Sequence, residues 1–167
     1  MLHLARKMPE LQFGSLMAVY EEANRENGRL RWPQEPEMRQ LQLAEQDFYR
    51  YLSQVFFRTP GAVYAVWEEG GAYVSALCLE PYRDGLLLEA LETAPEHRKK
   101  GFASALIRAV QAQLKQEGKV RLYSHVGKRN LPSLKTHESS GFRLESDCAV
   151  YIDGSVNREA YTLFFEG

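Results

Sequence analysis

The stretch from Leu86 to Leu114 constrains this chain more than any other. Leu86-Leu87-Leu88-Glu89-Ala90-Leu91-Glu92-Thr93 is an apolar run of strand length stopped by Pro95. Ala103, Leu106, Ile107, Val110 and Leu114 then recur at helical spacing up to Gly118. Between the two lies His97-Arg98-Lys99-Lys100-Gly101-Phe102-Ala103. A strand that feeds a helix through such a turn gathers backbone N–H groups and the positive end of a helix dipole at one point, beside three cationic side chains. That arrangement suits a pyrophosphate. Gly101 lets the backbone approach the anion, Ala103 keeps the helix start narrow, and Ser104 adds a hydroxyl donor. The bland alternative is a solvated basic turn at the start of a surface helix.

The rest of the chain supplies the frame. Leu2 and Leu4 suggest a short first strand. Leu11, Leu16, Val19, Tyr20 and Ala23 predict a helix over 9–27 with Asn27-Gly28 as its stop, and a second helix follows from Glu37 to about Phe57. Strands are expected near 62–67 and 72–80, joined by the Glu-Glu-Gly-Gly turn. After the central unit come a strand opening at Val120, a short helix from Asn130 to Gly141, and closing strands near 142–151 and 159–165. The order β-α-α-β-β-β-α-β-α-β-β implies an α/β (mixed α+β) fold, a central mixed sheet flanked by about four helices. With 167 residues and 44% hydrophobic content, one domain spanning 1–167 is expected.

Charge and cysteine usage remove several classes of function. Twenty-one basic against twenty-two acidic residues leave a formal charge of −1, so no global field favours nucleic acid or an anionic membrane. Anion binding must be local. Cys78 and Cys148 lack the spacing of a zinc or redox pair and read as reduced structural residues. The polar residues after Met1 to Ala5 give neither a secretory segment nor a membrane span, which makes the cytoplasm the expected compartment. A P-loop and a dinucleotide-binding glycine fingerprint are both absent on spacing.

Two motifs in order narrow the choice. Arg98-x-x-Gly101-x-Ala103 follows Pro95-Glu96 and the strand Glu89-x-Leu91-x-Thr93, and Asn130-x-x-Ser133-x-x-x-His137-x-x-x-Gly141-Phe142 lies about 30 residues downstream. This pair resembles the GNAT superfamily of acetyl-CoA-dependent N-acetyltransferases. The resemblance implies acetyl-CoA as the acyl donor. Leu91 and Thr93 would offer main-chain groups to its pantetheine arm, and the amides from Arg98 through Lys99, Lys100, Gly101, Phe102 and Ala103 to Ser104 would hold its pyrophosphate. Asn130 and Ser133 would sit nearer the thiol. It further implies a main-chain N–H near Thr93 that polarises the thioester carbonyl. Where the family most often carries a tyrosine acid, this chain has His137.

Acyl transfer to an amine needs a proton acceptor for the amine and a proton for the departing sulfur. By the two-residue strand period Glu89 shares a face with Leu91 and Thr93, where many members of the family keep a base-like glutamate, and Glu92 takes the opposite face. The ordinary alternative for Glu89 is an ion pair with Arg121 or Arg83. His137, with an unperturbed pKa near 6.5, is the candidate acid, against the alternative of a polar residue on a short helix. Asn130 doubles as a helix cap. No cysteine, serine or lysine nucleophile motif is evident, which favours direct attack in a ternary complex. The acceptor is a small-molecule amine slightly ahead of a protein amine. Glu21, Glu22, Glu26, Trp32 and Tyr151 lie in the segments expected to shape its site, with Tyr123 and His125 near it. The rivals are a non-catalytic acyl-CoA-binding sensor and a phosphate turn for another nucleotide. Pairing of terminal strands would make a homodimer.

Overall fold

The apolar periodicities become elements much as their spacing requires in the computed structural model, which describes residues 1–118 and 121–167. In chain order these are β1 (Leu2–Ala5), α1 (Phe13–Val19), α2 (Glu21–Arg31), α3 (Glu37–Gln54), β2 (Val63–Glu69), β3 (Ala72–Tyr82) and β4 (Gly85–Thr93). Then follow α4 (Phe102–Gln116), β5 (Arg121–Gly127), α5 (Leu131–Ser139), β6 (Arg143–Ser146), β7 (Ala149–Val150), β8 (Val156–Asn157) and β9 (Ala160–Glu166). Val120, expected to open the fifth strand, lies outside the described residues.

Seven strands form one sheet in the order β1-β2-β3-β4-β5-β9-β6, and β7 with β8 makes a separate small hairpin. All pairs are antiparallel except β4 and β5. On one face α1, α2 and α3 cover β1 to β3, burying Leu16, Tyr20, Leu52, Phe56, Tyr64, Ala76 and Cys78 together. On the other face α4 packs through Leu106, Ile107, Val110 and Leu114 onto Leu77, Leu79, Leu86, Leu88 and Leu122. Leu106 and Ile107 have no exposed surface, so truncating either to alanine should cost about 2–5 kcal/mol. Among the described residues no helix is long and apolar enough to cross a membrane. Both cysteines are free thiols, Cys78 buried and Cys148 half-buried.

Among the described residues the flanking helices number five rather than about four. The first predicted helix breaks at Tyr20, whose backbone (φ −96°, ψ 11°) ends α1 and begins α2. Gly28, expected as a stop, sits inside α2. A Cβ there would lie 2.7 Å from the Gln40 carbonyl oxygen, so the glycine is required by the close approach of α3.

Two irregularities in β4 shape everything near it. Cys78 pairs with Glu89 and Ala76 with Glu92, so Leu77 alone faces both Ala90 and Leu91. Ala90 takes the extra position in the left-handed region, at φ 51°. Beside it, the parallel ladder between β4 and β5 covers only Leu86, Leu87 and Leu88 against Leu122, Tyr123 and Ser124. Beyond Leu88 the edge of β4 that faced β5 is free of it, and a gap opens between the strands.

Candidate active site

The turn before α4 has the backbone that the sequence implies. Lys99 (φ 60°) and Gly101 (φ 82°) are both left-handed, and a Cβ on Gly101 would meet nothing within 4 Å. Within α4 the N–H of Ala105 donates to the Gly101 carbonyl at 2.9 Å, so the amides of Phe102, Ala103 and Ser104 precede the first intrahelical donor and have no acceptor within the helix. Left-handed residues ahead of a helix N-terminus turn backbone amides toward a common point, where an anion can bind.

A cavity of about 580 Å³ opens on that turn. It is lined by Leu91, Thr93, Arg98, Lys99, Gly101, Phe102, Ala103, Ser104, Asn130 and Ser133, every predicted cofactor-binding residue except Lys100. Glu92, His97, Pro132 and Thr136 complete the wall. Thr93 is fixed at the rim by its hydroxyl's contact with Ser75 Oγ at 3.0 Å. Asn130 Oδ1 accepts the Ser133 N–H at 3.2 Å, capping α5 while its residue lines the cavity. Its lining includes Leu91 and Thr93 of β4 and the first residues of α4, where the main-chain donors lie. Those donors suit the charge of a pyrophosphate.

Arg98 departs from expectation in the use of its side chain. The guanidinium donates to the Thr93 carbonyl at 3.2 Å, pairs with Glu22 of α2 and lies 3.8 Å from Glu92. It bridges Glu22 of α2 and Glu92 of β4.

The bulge at Ala90 corrects the face assignment of the carboxylates. Residues directly opposite on paired strands share a face. Glu89 opposes Cys78 and Glu92 opposes Ala76, both in the core beneath α1 to α3, whereas Leu91 packs toward α4. Glu89 and Glu92 are therefore on the same face, opposite to Leu91 and Thr93. The strict two-residue period predicted otherwise because it contains no extra residue.

Glu89 forms no ion pair among the described residues. Arg121 is held by Asp84 and Glu166, and Arg83 by Glu145. Burial, with the Glu80 carboxylate nearby, raises the Glu89 pKa above the ordinary carboxylate range. Burial does the same at Glu80, and at Glu92, where Arg98 opposes it and Glu22 reinforces it. Tyr51 of α3 is pushed up to about 12 by burial and by Glu80, Cys78 and Glu89. The Tyr20 hydroxyl donates to the Ala90 carbonyl at 2.6 Å and accepts from Tyr64 at 2.8 Å, tying α2 to the bulge.

His137 does not occupy an acid's position. It is 1% exposed, does not line the cavity, and stacks edge-on against Phe142. Nδ1–H donates to the Ser133 carbonyl at 2.8 Å, which leaves Nε2 to accept from Ser124 Oγ at 2.9 Å. Burial pulls its pKa down, with the Ser133 bond opposing. A neutral imidazole with both nitrogens occupied is a structural group.

The acceptor-side residues divide. Glu21 pairs with Arg25, Trp32 lies under the Arg31 guanidinium, Glu26 is exposed, and Tyr123 donates to Asp84. His125 and Tyr151 meet edge to face at 5.3 Å. Glu80 was missed by the sequence reading. The structure places it on β3, two residues from Cys78 and opposite Leu87 of β4.

The parallel pair β4–β5 thus parts halfway, with a donor-rich helix N-terminus on one side and carboxylates of raised pKa on the other. The family comparison agrees. The profile of the acetyltransferase (GNAT) family matches residues 16–142, and the chain belongs to that family. By family it is an acetyltransferase, and so an acyltransferase. No curated protein sequence matches the chain. Among solved structures it is similar to PaiA N-acetyltransferase from Thermoplasma acidophilum in complex with coenzyme A, at 12% identity and TM-score 0.64, over 100% of this chain and 99% of that one. It is also similar to the ribosomal-protein-S18-alanine N-acetyltransferase of Escherichia coli, at 14% identity and TM-score 0.61, over 99% and 94%. A spermidine N-acetyltransferase variant from Vibrio cholerae gives 21% identity and TM-score 0.62, over 99% and 94%.

Proposed function

We propose that this chain transfers an acetyl group from acetyl-CoA to a small cationic amine by direct attack in a ternary complex. One observation carries the proposal: β4 and β5 part after Leu88 and Ser124, with the cofactor cavity on one face of the gap and the unpaired Glu89 on the other. The free edge of β4 from Glu89 to Thr93 accepts the pantetheine arm as an added strand would be accepted. Amides from Arg98 to Ser104 hold the pyrophosphate. Bound acetyl-CoA supplies a thioester carbonyl as electrophile, polarised by a main-chain N–H near Thr93.

Glu89 takes the amine's proton, directly or through one water. Its raised pKa moves it toward the pH of use, which is what a general base requires. Glu80 and Glu92 on the same face add negative potential that draws an ammonium in, and Tyr51 contributes an aromatic wall. With His137 buried, no side-chain acid is assigned. A thiol of ordinary pKa near 8.5 leaves readily as thiolate and takes its proton from water.

The first test is the thermal midpoint with acetyl-CoA, CoA, ATP and no ligand. A ligand at about 100 times its dissociation constant stabilises by roughly 2.7 kcal/mol, a shift of several degrees in a domain of this size. Acetyl-CoA and CoA should raise the midpoint and ATP should not. Thiol release across an amine panel then tests transfer. Binding of CoA without thiol release for any amine would replace the enzyme by a sensor.

A further inference from the structure

His125 is the most anomalous polar group in the molecule. Both ring nitrogens are buried without a hydrogen-bond partner among the described residues. Buried polar atoms are satisfied nine times in ten or more, so two orphans on one ring need a cause. The neighbours that could satisfy them are engaged elsewhere. Tyr82 stands edge to face against the imidazole at 5.5 Å with its hydroxyl on the Val150 carbonyl, and Tyr151 at 5.3 Å takes Asn157 Nδ2 on its own hydroxyl. Thr162, its cross-strand partner on β9, donates to the Cys148 carbonyl. The two charges that face it, Arg83 and Glu145, are bonded to each other at 2.8 Å. The surroundings hold the ring in place and leave both nitrogens buried and, among the described residues, without a partner.

Its place in the register is equally specific. Leu88 and Ser124 are the last pair between β4 and β5, so Glu89 and His125 are the first residue on each strand beyond the parting. Leu87 and Tyr123 share a face, and Glu89 and His125 follow them by two residues on that same face. Two proton acceptors thus flank the gap from opposite strands.

We propose that His125 is a second proton-accepting group of the acceptor site, its imidazole receiving an N–H of the incoming amine opposite Glu89. This rests on the transferase function proposed above. Glu89 takes the proton that frees the nitrogen lone pair; as that lone pair forms the N–C bond, the C–S electron pair leaves with sulfur and the second proton that the nitrogen loses passes to an imidazole nitrogen, then to water. Burial, joined by Arg83 and opposed by Glu145, lowers the His125 pKa, so the ring is neutral and able to accept at neutral pH.

The test measures thiol release with the fastest amine of the panel across pH 6 to 9, in wild type, His125→Phe and His125→Gln. The phenylalanine keeps the edge-to-face packing and removes the nitrogens. Its kcat/KM for the amine should fall by about tenfold to hundredfold, the shape of its acid limb should change because Glu89 alone remains, and its CoA-induced rise in thermal midpoint should persist. Glutamine, which accepts a hydrogen bond but not a proton, should recover KM more than kcat. Wild-type kcat/KM and an unchanged acid limb in His125→Phe would overturn the role of His125 while leaving the transferase function intact. Absence of thiol release by the wild type with every amine would remove that function and this proposal together.

Discussion

The two faces of β4 are built by different means. Toward α4 the cavity is made of main chain: left-handed Lys99 and Gly101, the first amides of α4, and a strand edge without a partner. Toward α1, α2 and α3 it is made of side chains, with Glu80, Glu89 and Glu92 held above the usual carboxylate range and His125 unpartnered. A cofactor shared across a family can be bound by backbone geometry, which tolerates sequence change. An acceptor peculiar to one enzyme must be met by particular side chains. If the contrast is real, mutations on the two faces should fail differently.

The largest effect is expected on the side-chain face. Glu89→Gln should lower kcat by roughly 10² or more with CoA affinity unchanged, read by thiol release and by the CoA-induced thermal shift. A rate within twofold of wild type would take the base role from Glu89. Gly101→Val strikes the other face. A β-branched residue at φ 82° is strained by about 1–2 kcal/mol and brings bulk where the anion approaches, so CoA affinity should weaken at least about tenfold by calorimetry. Unchanged affinity would mean that the turn is a solvated helix start.

The same contrast explains what the sequence disclosed. Arg98-x-x-Gly101-x-Ala103 and Asn130-x-x-Ser133 are local patterns, because a turn's backbone and a helix cap are decided by residues a few positions apart, and they located the cavity. The face of Glu89 was decided by one extra residue at Ala90, and alanine carries no signal for a left-handed bulge. Gly28 read as a helix stop because its reason, the Gln40 carbonyl, lies on another helix. His137 looked like an acid because its motif position matched, while its burial depends on Ser124, a residue of the neighbouring strand. Orphaned nitrogens on His125 are visible only once three elements have folded around it.

His137 supplies a mid-sized test of its structural role. His137→Leu should cost about 1–3 kcal/mol through lost bonds to Ser133 and Ser124, lowering the thermal midpoint by several degrees with kcat little changed. The pH dependence has a definite sign. Because the folded pKa is depressed, the folded ring stays neutral where the unfolded chain's imidazole binds a proton, so its stability contribution is full above about pH 6.5 and is lost as pH falls below it. Glu80, Glu89 and Glu92 act oppositely, because their raised values favour the fold at low pH and that share fades as pH rises through them. The difference between wild type and variant isolates the histidine. A large loss of kcat with unchanged stability would restore His137 to catalysis.

The smallest effect sharpens the contrast most, because Arg98 belongs to both faces. Its main chain lies in the anion turn, yet its guanidinium is turned to Glu22, Glu92 and the Thr93 carbonyl. Both members of the Arg98–Glu22 pair are substantially exposed, and such pairs are worth about 0–1 kcal/mol. Glu22→Gln should therefore change CoA affinity by less than about fivefold. The direction is toward tighter binding, since a negative charge near the pyrophosphate is removed, and the gain should shrink as salt rises. A change of a hundredfold would mean that the freed guanidinium is a principal ligand of the anion. The cofactor face would then depend on a side chain as much as the acceptor face does, and binding of the two substrates would be coupled through Arg98.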